Sequence, residues 1–236
     1  MQKAKKKKRS HLSKIVSVLK KIILYGFILS VFYAVFCKWV DPPITLTQLN
    51  SILLRRGLNR DYVSMDQISP NIKLAVMCGE DQLFPDHDGF DFKSIQKAMK
   101  HNQRTRSLRG ASTISQQAAK NVFLWQHGGY FRKGLEVYFT FMIEHLWSKK
   151  RILEVYLNVA EMGKGVFGVE AASKKYFNKH ASELSKMESA MIAACLPNPI
   201  EYTIKPLSAH VSARSGWIMN QMEHLQVDPD IRELTR

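Results

Sequence analysis

Acidic residues are absent from the first 40 positions of this 236-residue chain, which hold ten Lys and Arg. The net charge is +15, but residues 41–236 carry 25 basic against 20 acidic side chains. The excess therefore sits in a tail, not on a face that would grip nucleic acid. Cysteine is scarce, with only Cys37, Cys78 and Cys195. That excludes a disulfide scaffold, and no spacing suggests a metal site. All three are expected as buried small hydrophobes, with only Cys78 and Cys195 able to pair in the outer part of the chain. No H-E-x-x-H, P-loop or G-x-S-x-G occurs, nor any internal repeat, low-complexity linker or convincingly alternating strand. What is present is 45% apolar and 23% charged, enough for a packed core and too apolar for disorder.

One long apolar run stands out. Ile22–Cys37 is interrupted only by Gly26 and Ser30, and extension through Trp39 and Val40 predicts 19 residues of helix. At roughly 1.5 Å per residue that approaches the ~30 Å hydrocarbon thickness of a bilayer. Lys38 can snorkel and Trp39 suits the interface. Nine positive charges precede the span, so the positive-inside rule places the N-terminus in the cytoplasm and everything after Asp41 outside. The run is long for a signal peptide and no small-x-small cleavage site follows it, so an uncleaved anchor is expected. The organisation read from the chain is a basic tail (1–21), an anchor (22–40), a membrane-proximal segment (41–68) with an amphipathic Leu46–Arg56, and a mainly α domain (69–236).

Helix signals fill the outer part. Ser69-Pro70 offers an N-cap followed by Pro at the first helical position. Asp91 can cap a helix carrying Ile95, Ala98 and Met99. Thr113 with Gln116 fits a capping box. Apolar residues fall at helical spacing in Tyr130–Trp147, Lys150–Glu161, Phe167–Phe177 and Glu183–Cys195, and a last helix is expected near Val211–Leu225. Arg104–Gly110 reads as a basic loop. Three motifs mislead. Gly163-x-Gly165-x-x-Gly168 follows a helical pattern and not a strand, so it is no dinucleotide site. Asp86-x-Asp88 lacks an α/β nucleotide-binding context. Ser94-x-x-Lys97 lacks the partner motifs of a transpeptidase.

Polar density remains in three places. Residues 79–91 put a Glu-Asp pair, Glu80 and Asp81, at a helix end. Residues 110–121 set Thr113, Gln116, Gln117, Lys120 and Asn121 near one face of a helix start, with Ser112 before them. A helix N-terminus with hydroxyls and a following Lys suits an anion. Arg132, Lys133 and Glu136 then open a long helix. A capped surface would explain any one segment, although Ser-Thr-x-x-Gln-Gln is a poor surface choice beside better helix formers.

These segments resemble, in order and spacing, the signature motifs of the peptidoglycan glycosyltransferases, the glycan-polymerising half of class A penicillin-binding proteins. The matches are Glu80-Asp81-x-x-Phe84-x-x-His87-x-Gly89 and Gly110-Ala-Ser112-Thr113-Ile114-Ser-Gln116-Gln117-x-x-Lys120-Asn121. They continue with Arg132-Lys133-x-x-Glu136 and Lys149-x-x-Ile152-Leu153-Glu154-x-Tyr156-Leu157-Asn158. The last is Gly163-x-Gly165-x-x-Gly168-Val-x-x-Ala171-Ala172-x-x-Tyr176-Phe177. The short chain is similar to the monofunctional, inner-membrane form.

The resemblance implies a lysozyme-like, mainly α, two-lobed domain that polymerises lipid II, a disaccharide-pentapeptide on undecaprenyl diphosphate. It implies Glu80 as general base, with a pKa raised toward neutrality, and Glu136 as the second catalytic carboxylate. Lys120, Arg132, Lys133 and Lys149 would stabilise the departing diphosphate. Ser112, Thr113, Gln116, Gln117 and Asn121 would hold sugar and phosphate oxygens, and Asp81, Glu154 and Asn158 would support them. No cofactor is certain, and a divalent Mg or Mn beside Glu136 stays open. Expected partners are lipid II, the growing lipid-linked glycan, the inner membrane, and penicillin-binding transpeptidases with division or elongation proteins; nucleic acid is not among them. The expected location is the bacterial inner membrane, single-pass, with the catalytic domain periplasmic. One departure is visible: where many relatives carry an Arg-Ser pair, this chain has Gly128-Gly129 beside His127, so His127 or the Arg104–Arg109 loop would substitute. A lytic lysozyme-like enzyme and a catalytically degenerate membrane scaffold remain the alternatives.

Overall fold

The computed structural model describes residues 2–105, 110–126 and 128–236, so His127 and residues 106–109 of the basic loop lie outside the described residues. The chain forms two compact units, Met1–Val40 and Asp41–Arg236. The first is one helix, α1 (Gln2–Phe36), apolar over the 23 residues Lys14–Phe36 and so long enough to cross a membrane. It ends four residues before the expected Val40. Lys38 and Trp39 bond back three residues, to Val35 and Phe36. Pro42 and Pro43 follow, and a proline disfavours helix in the residue before it.

The second unit is mainly helical. Its elements are α2 (Leu46–Leu53), β1 (Asn59–Arg60), α3 (Pro70–Glu80), α4 (Phe92–Arg104), α5 (Ile114–Phe123) and α6 (Tyr130–Leu146). They continue with α7 (Lys149–Val159), β2 (Glu161–Gly163), β3 (Val166–Phe167), α8 (Val169–Phe177), α9 (Lys186–Cys195), α10 (Ala209–Leu225) and α11 (Pro229–Thr235). The expected caps form. Ser69 Oγ accepts from the Asn71 amide at 3.2 Å, and Asp91 accepts from the Ser94 amide at 2.9 Å. Thr113 and Gln116 close a reciprocal capping box.

Two expectations are corrected. Strands do occur: β1, β3 and β2 make a small sheet in that order, parallel between β1 and β3 and antiparallel between β3 and β2. At two or three residues each they are too short to show alternation. The middle of the glycine motif serves this sheet. Gly165 has φ +68°, and a Cβ there would sit 2.3 Å from the Arg56 carbonyl oxygen, so only glycine lets the β2–β3 turn meet the end of α2. Nor is the helix at 211–225 the last, since α11 follows it. Lys73 on α3 is 1% exposed, and its Nζ donates to the Thr235 and Arg236 carbonyls at 3.3 Å. A buried cation thus satisfies the C-terminal carbonyls of α11.

Two packing groups make the core: α3, α9, α10 and α11 in one, and α5 with α2, α6 and α7 in the other. Helix α2 buries its polar face. Thr47, Gln48 and Ser51 point inward, with Gln48 bonded to Tyr62 Oη and Arg60 and Ser51 to the Gly57 carbonyl. Leu46, Leu49 and Leu53 stay exposed. Cys37, Cys78 and Cys195 are all buried, and none of them forms a disulfide among the described residues; the sequence predicted their burial.

Candidate active site

Glu80 is the last residue of α3, at the meeting of both packing groups. Its Oε2 accepts from Gln117 Nε2 of α5 at 2.6 Å, and Gln117 Oε1 accepts from Tyr156 Oη of α7 at 3.2 Å. Desolvation pushes the Glu80 pKa up; the Gln117 hydrogen bond and the charges of Arg214 and Lys120 pull it partly back. A buried carboxyl disfavours its charged form, so Glu80 takes up a proton more readily than an ordinary surface Glu. Its neighbour Asp81 does a different job. Asp81 Oδ2 accepts from the Ile114 amide at 3.0 Å, and its carboxylate also accepts from His87 Nε2. His87 Nδ1 accepts from the Gly89 amide at 3.1 Å, which leaves the Nε2–H to face Asp81. Asp81 thereby ties the end of α3 to the start of α5.

Beyond Gln117, one helical turn along α5, lies Lys120 in a cleft of about 130 Å³. Ser112, Gln116, Gln117, Lys120, Gln126, Arg132, Lys133 and Glu136 line it. Glu136 is 2% exposed. Its Oε2 accepts from Arg132 Nη1 at 2.6 Å, and its Oε1 accepts from Lys133 Nζ. Arg132 Nε is buried and has no hydrogen-bond acceptor among the described residues. Burial pushes the Lys120 pKa down, Glu136 pulls it up, and Arg132 and Lys133 press it down again. The cleft thus holds three cations against one carboxylate, an excess that favours an anion. Both Glu136 oxygens are taken by cations, and among the described residues no group of three His, Cys, Asp or Glu could hold a metal ion. These donors do not fit a divalent metal.

The structure gathers Ser112, Gln116, Gln117, Lys120, Arg132, Lys133 and Glu136 at one cleft, next to Glu80. It places other candidates elsewhere. Thr113 is buried, accepts from the Gln116 amide and donates to the Gly89 carbonyl at 2.7 Å. Asn121 Oδ1 accepts from Gln126 Nε2. Lys149 Nζ donates to Glu144 at 2.9 Å and to the His87 carbonyl, with Phe84 beneath it. Glu154 accepts from the Met65 amide and Arg151, and Asn158 brackets both backbone groups of Val63. These two hold the 63–65 segment to α7.

Sequence reasoning missed three contributors. Arg214 of α10 donates to the Gly79 carbonyl at 3.1 Å, stacks on Trp217 and puts a charge near Glu80. Tyr156 appeared only as a motif position. Gln126 sits in the cleft because Thr47 of α2 accepts from its Nε2 at 2.8 Å. Only Gln126 carried a signal, standing next to the departure at 127–129. Gly128 has a steric meaning: a Cβ there would lie 2.8 Å from Arg132 Cβ, so glycine lets the backbone at 128 approach Arg132.

Residues 47–223 match the model of the transglycosylase family. The chain belongs to that family and is a glycosyltransferase of lysozyme-like fold. It is 44% identical to the biosynthetic peptidoglycan transglycosylase of Shewanella oneidensis over 211 residues, covering 88% of this chain and 91% of that one. It is 58% identical to the protein of the same name from Cronobacter sakazakii over 165 residues (70% and 68% of the two chains). The corresponding figure for the Shigella boydii protein is 55% over 174 residues (73% and 72%).

Proposed function

We propose that the chain is a peptidoglycan transglycosylase that polymerises lipid II, with Glu80 as general base and the Lys120–Arg132–Lys133 cleft as the seat of the diphosphate leaving group. The observation that carries this reading is the pairing of a desolvated carboxylate, bonded to a neutral amide, with a cation-rich cleft one helical turn away. A sugar hydroxyl attacks poorly until its proton is removed, and positioned base assistance contributes roughly 10²–10⁴-fold. Glu80 takes the proton of the acceptor 4-hydroxyl as its oxygen bonds to C1 of the lipid-linked donor. The bond from C1 to the diphosphate oxygen breaks with its electron pair, and inversion of the α-linked donor gives a β-1,4 link. The negative charge that develops on the departing oxygen falls to Lys120, Lys133 and the buried Nε–H of Arg132, groups that favour the transition state over the ground state.

Glu136 holds Arg132 and Lys133 in place and needs no metal for that role. Lys149 serves the scaffold, because Glu144 and the His87 carbonyl already occupy its ammonium. The substrate's lipid stays in a bilayer, and exposed apolar side chains suit such a surface. Leu46, Leu49 and Leu53 of α2 are exposed, as are Tyr130, Phe131 and Phe141 of α6, and α1 supplies the anchor. With nine positive charges before the span, the domain lies on the periplasmic side of the inner membrane.

The test is purified protein in detergent with labelled lipid II, wild type beside Glu80→Gln. Polymer from wild type and none from the variant supports the reading. A hydrolase has no departing diphosphate to neutralise, so shortening of isolated glycan chains without polymer would replace it with the lytic one.

A further inference from the structure

Tyr156 is 1% exposed, and none of the chemistry above uses it. Its hydroxyl donates to one end of the Gln117 side-chain amide, while the other end donates to Glu80. A glutamine amide has two orientations of nearly the same shape, because its terminal torsion is roughly two-fold. In one, the NH₂ group faces Glu80. In the other, the carbonyl oxygen faces an ionised carboxylate, acceptor against acceptor. What the far end of the amide meets decides between them, and here it meets a phenol anchored in the core.

We infer that Tyr156 is a positioning residue for the base: by donating to Gln117 Oε1 it keeps the Gln117 NH₂ on Glu80 Oε2, leaving Glu80 Oε1 for the incoming hydroxyl. This rests on the reading of Glu80 as general base. The bond does a second thing. Donation into Oε1 polarises the amide and strengthens the N–H···O hydrogen bond that its opposite end donates, and a hydrogen bond to a carboxylate favours its charged form. Tyr156 therefore tunes the base through Gln117 while remaining out of reach of the substrate. The other groups around Glu80 are Asp81 beside it in the chain, Lys120 from α5, Cys195 from α9 and Arg214 from α10.

A bland alternative is a core tyrosine that has merely found an acceptor. Tyr156→Phe separates the two, because it keeps the ring and removes the donor. As a positioning residue, Tyr156 predicts a kcat for lipid II polymerisation lowered about 3–10-fold at neutral pH with KM little changed. It also predicts an acidic limb of the pH–rate profile moved up by roughly 0.5–1 unit, the effect of weakening one charge-assisted hydrogen bond. In a Gln117→Ala background, Tyr156→Phe then adds no further shift. A merely structural role lowers Tm but leaves the limb where it was, and that result overturns the inference. Should Tyr156→Phe fail to fold, 3-fluorotyrosine at 156 provides a near-isosteric, stronger donor. The limb should then move to lower pH, and an unmoved limb overturns the inference equally. Glu80→Gln run alongside separates the two levels. If it retains full activity, the base assignment itself falls. If it is inactive while Tyr156→Phe keeps the wild-type profile, only the role of Tyr156 falls.

Discussion

One glutamate lines the cleft and another stands next to it, and their surroundings are opposites. Glu80 is desolvated and its hydrogen bond comes from a neutral amide. Glu136 is more deeply buried, yet both its oxygens carry cations. Burial beside a neutral amide makes a carboxyl hold its proton more readily, whereas bonds from two cations make a carboxyl the centre of a charge-paired cluster. One residue type thus yields a group whose pKa is pushed up by burial and a group that holds two cations in place. The lesson is that depth alone does not assign a role; the charge of the partner does.

The contrast breaks first at Glu80. Glu80→Gln should lower polymerisation by roughly 10²–10⁴-fold without lowering Tm at neutral pH. The sign follows from linkage. A folded-state pKa raised above the unfolded value contributes stability that is fully present below the unfolded pKa, about 4.3, and is lost as pH climbs through the folded value. At neutral pH the ionised Glu80 therefore weighs against folding, and the amide removes that burden. Equal activity in both proteins, or a marked drop in Tm, would erase the distinction.

Glu136→Gln should behave the other way round. It leaves Arg132 and Lys133 without their counterion, so Tm falls. The loss is about 2 kcal/mol, discounted because Lys133 is 45% exposed, and corresponds to roughly 4–8 °C for a domain of this size. Activity should fall too, with weaker dependence on pH than at Glu80. A stable Glu136→Gln protein would show that the two cations need no partner there.

The pH–rate profile of the wild type sharpens the comparison further. The base is competent only when ionised, so the rate should rise with pH through the raised pKa of Glu80. The acidic limb then lies above the ordinary glutamate value of about 4.3. A limb at or below that value would mean that Glu80 is not desolvated in solution.

The smallest effect is expected at Lys149. Its side chain is 21% exposed and its ammonium is paired with Glu144, so Lys149→Ala should cost about 1–2 kcal/mol of stability while changing the KM for lipid II little. A large rise in KM with unchanged Tm would return Lys149 to the leaving-group site.

Much of this was legible early because it is local. The caps at Ser69, Asp91 and Thr113 are side chains that satisfy amides two or three residues away, and the identities alone announce them. The Glu80-Asp81 pair and the Arg132–Glu136 turn are local in the same way. The small sheet was not legible, because β1 and β3 pair across a separation no short pattern reports. Nor was α11, whose anchor is a lysine on α3.

The chain's order of residues, taken alone, determined the anchor, the helices and the chemical groups available for catalysis, since each follows from neighbours within a turn or two. Which glutamate meets a neutral amide and which meets two cations was decided largely in three dimensions. Gln117 is 37 positions from Glu80 and Tyr156 another 39 along, while Arg214 arrives from the far end of the chain. Proton affinity depends on the charges and dipoles that surround a group in space, and only the packing of α3, α5, α7 and α10 brings those together.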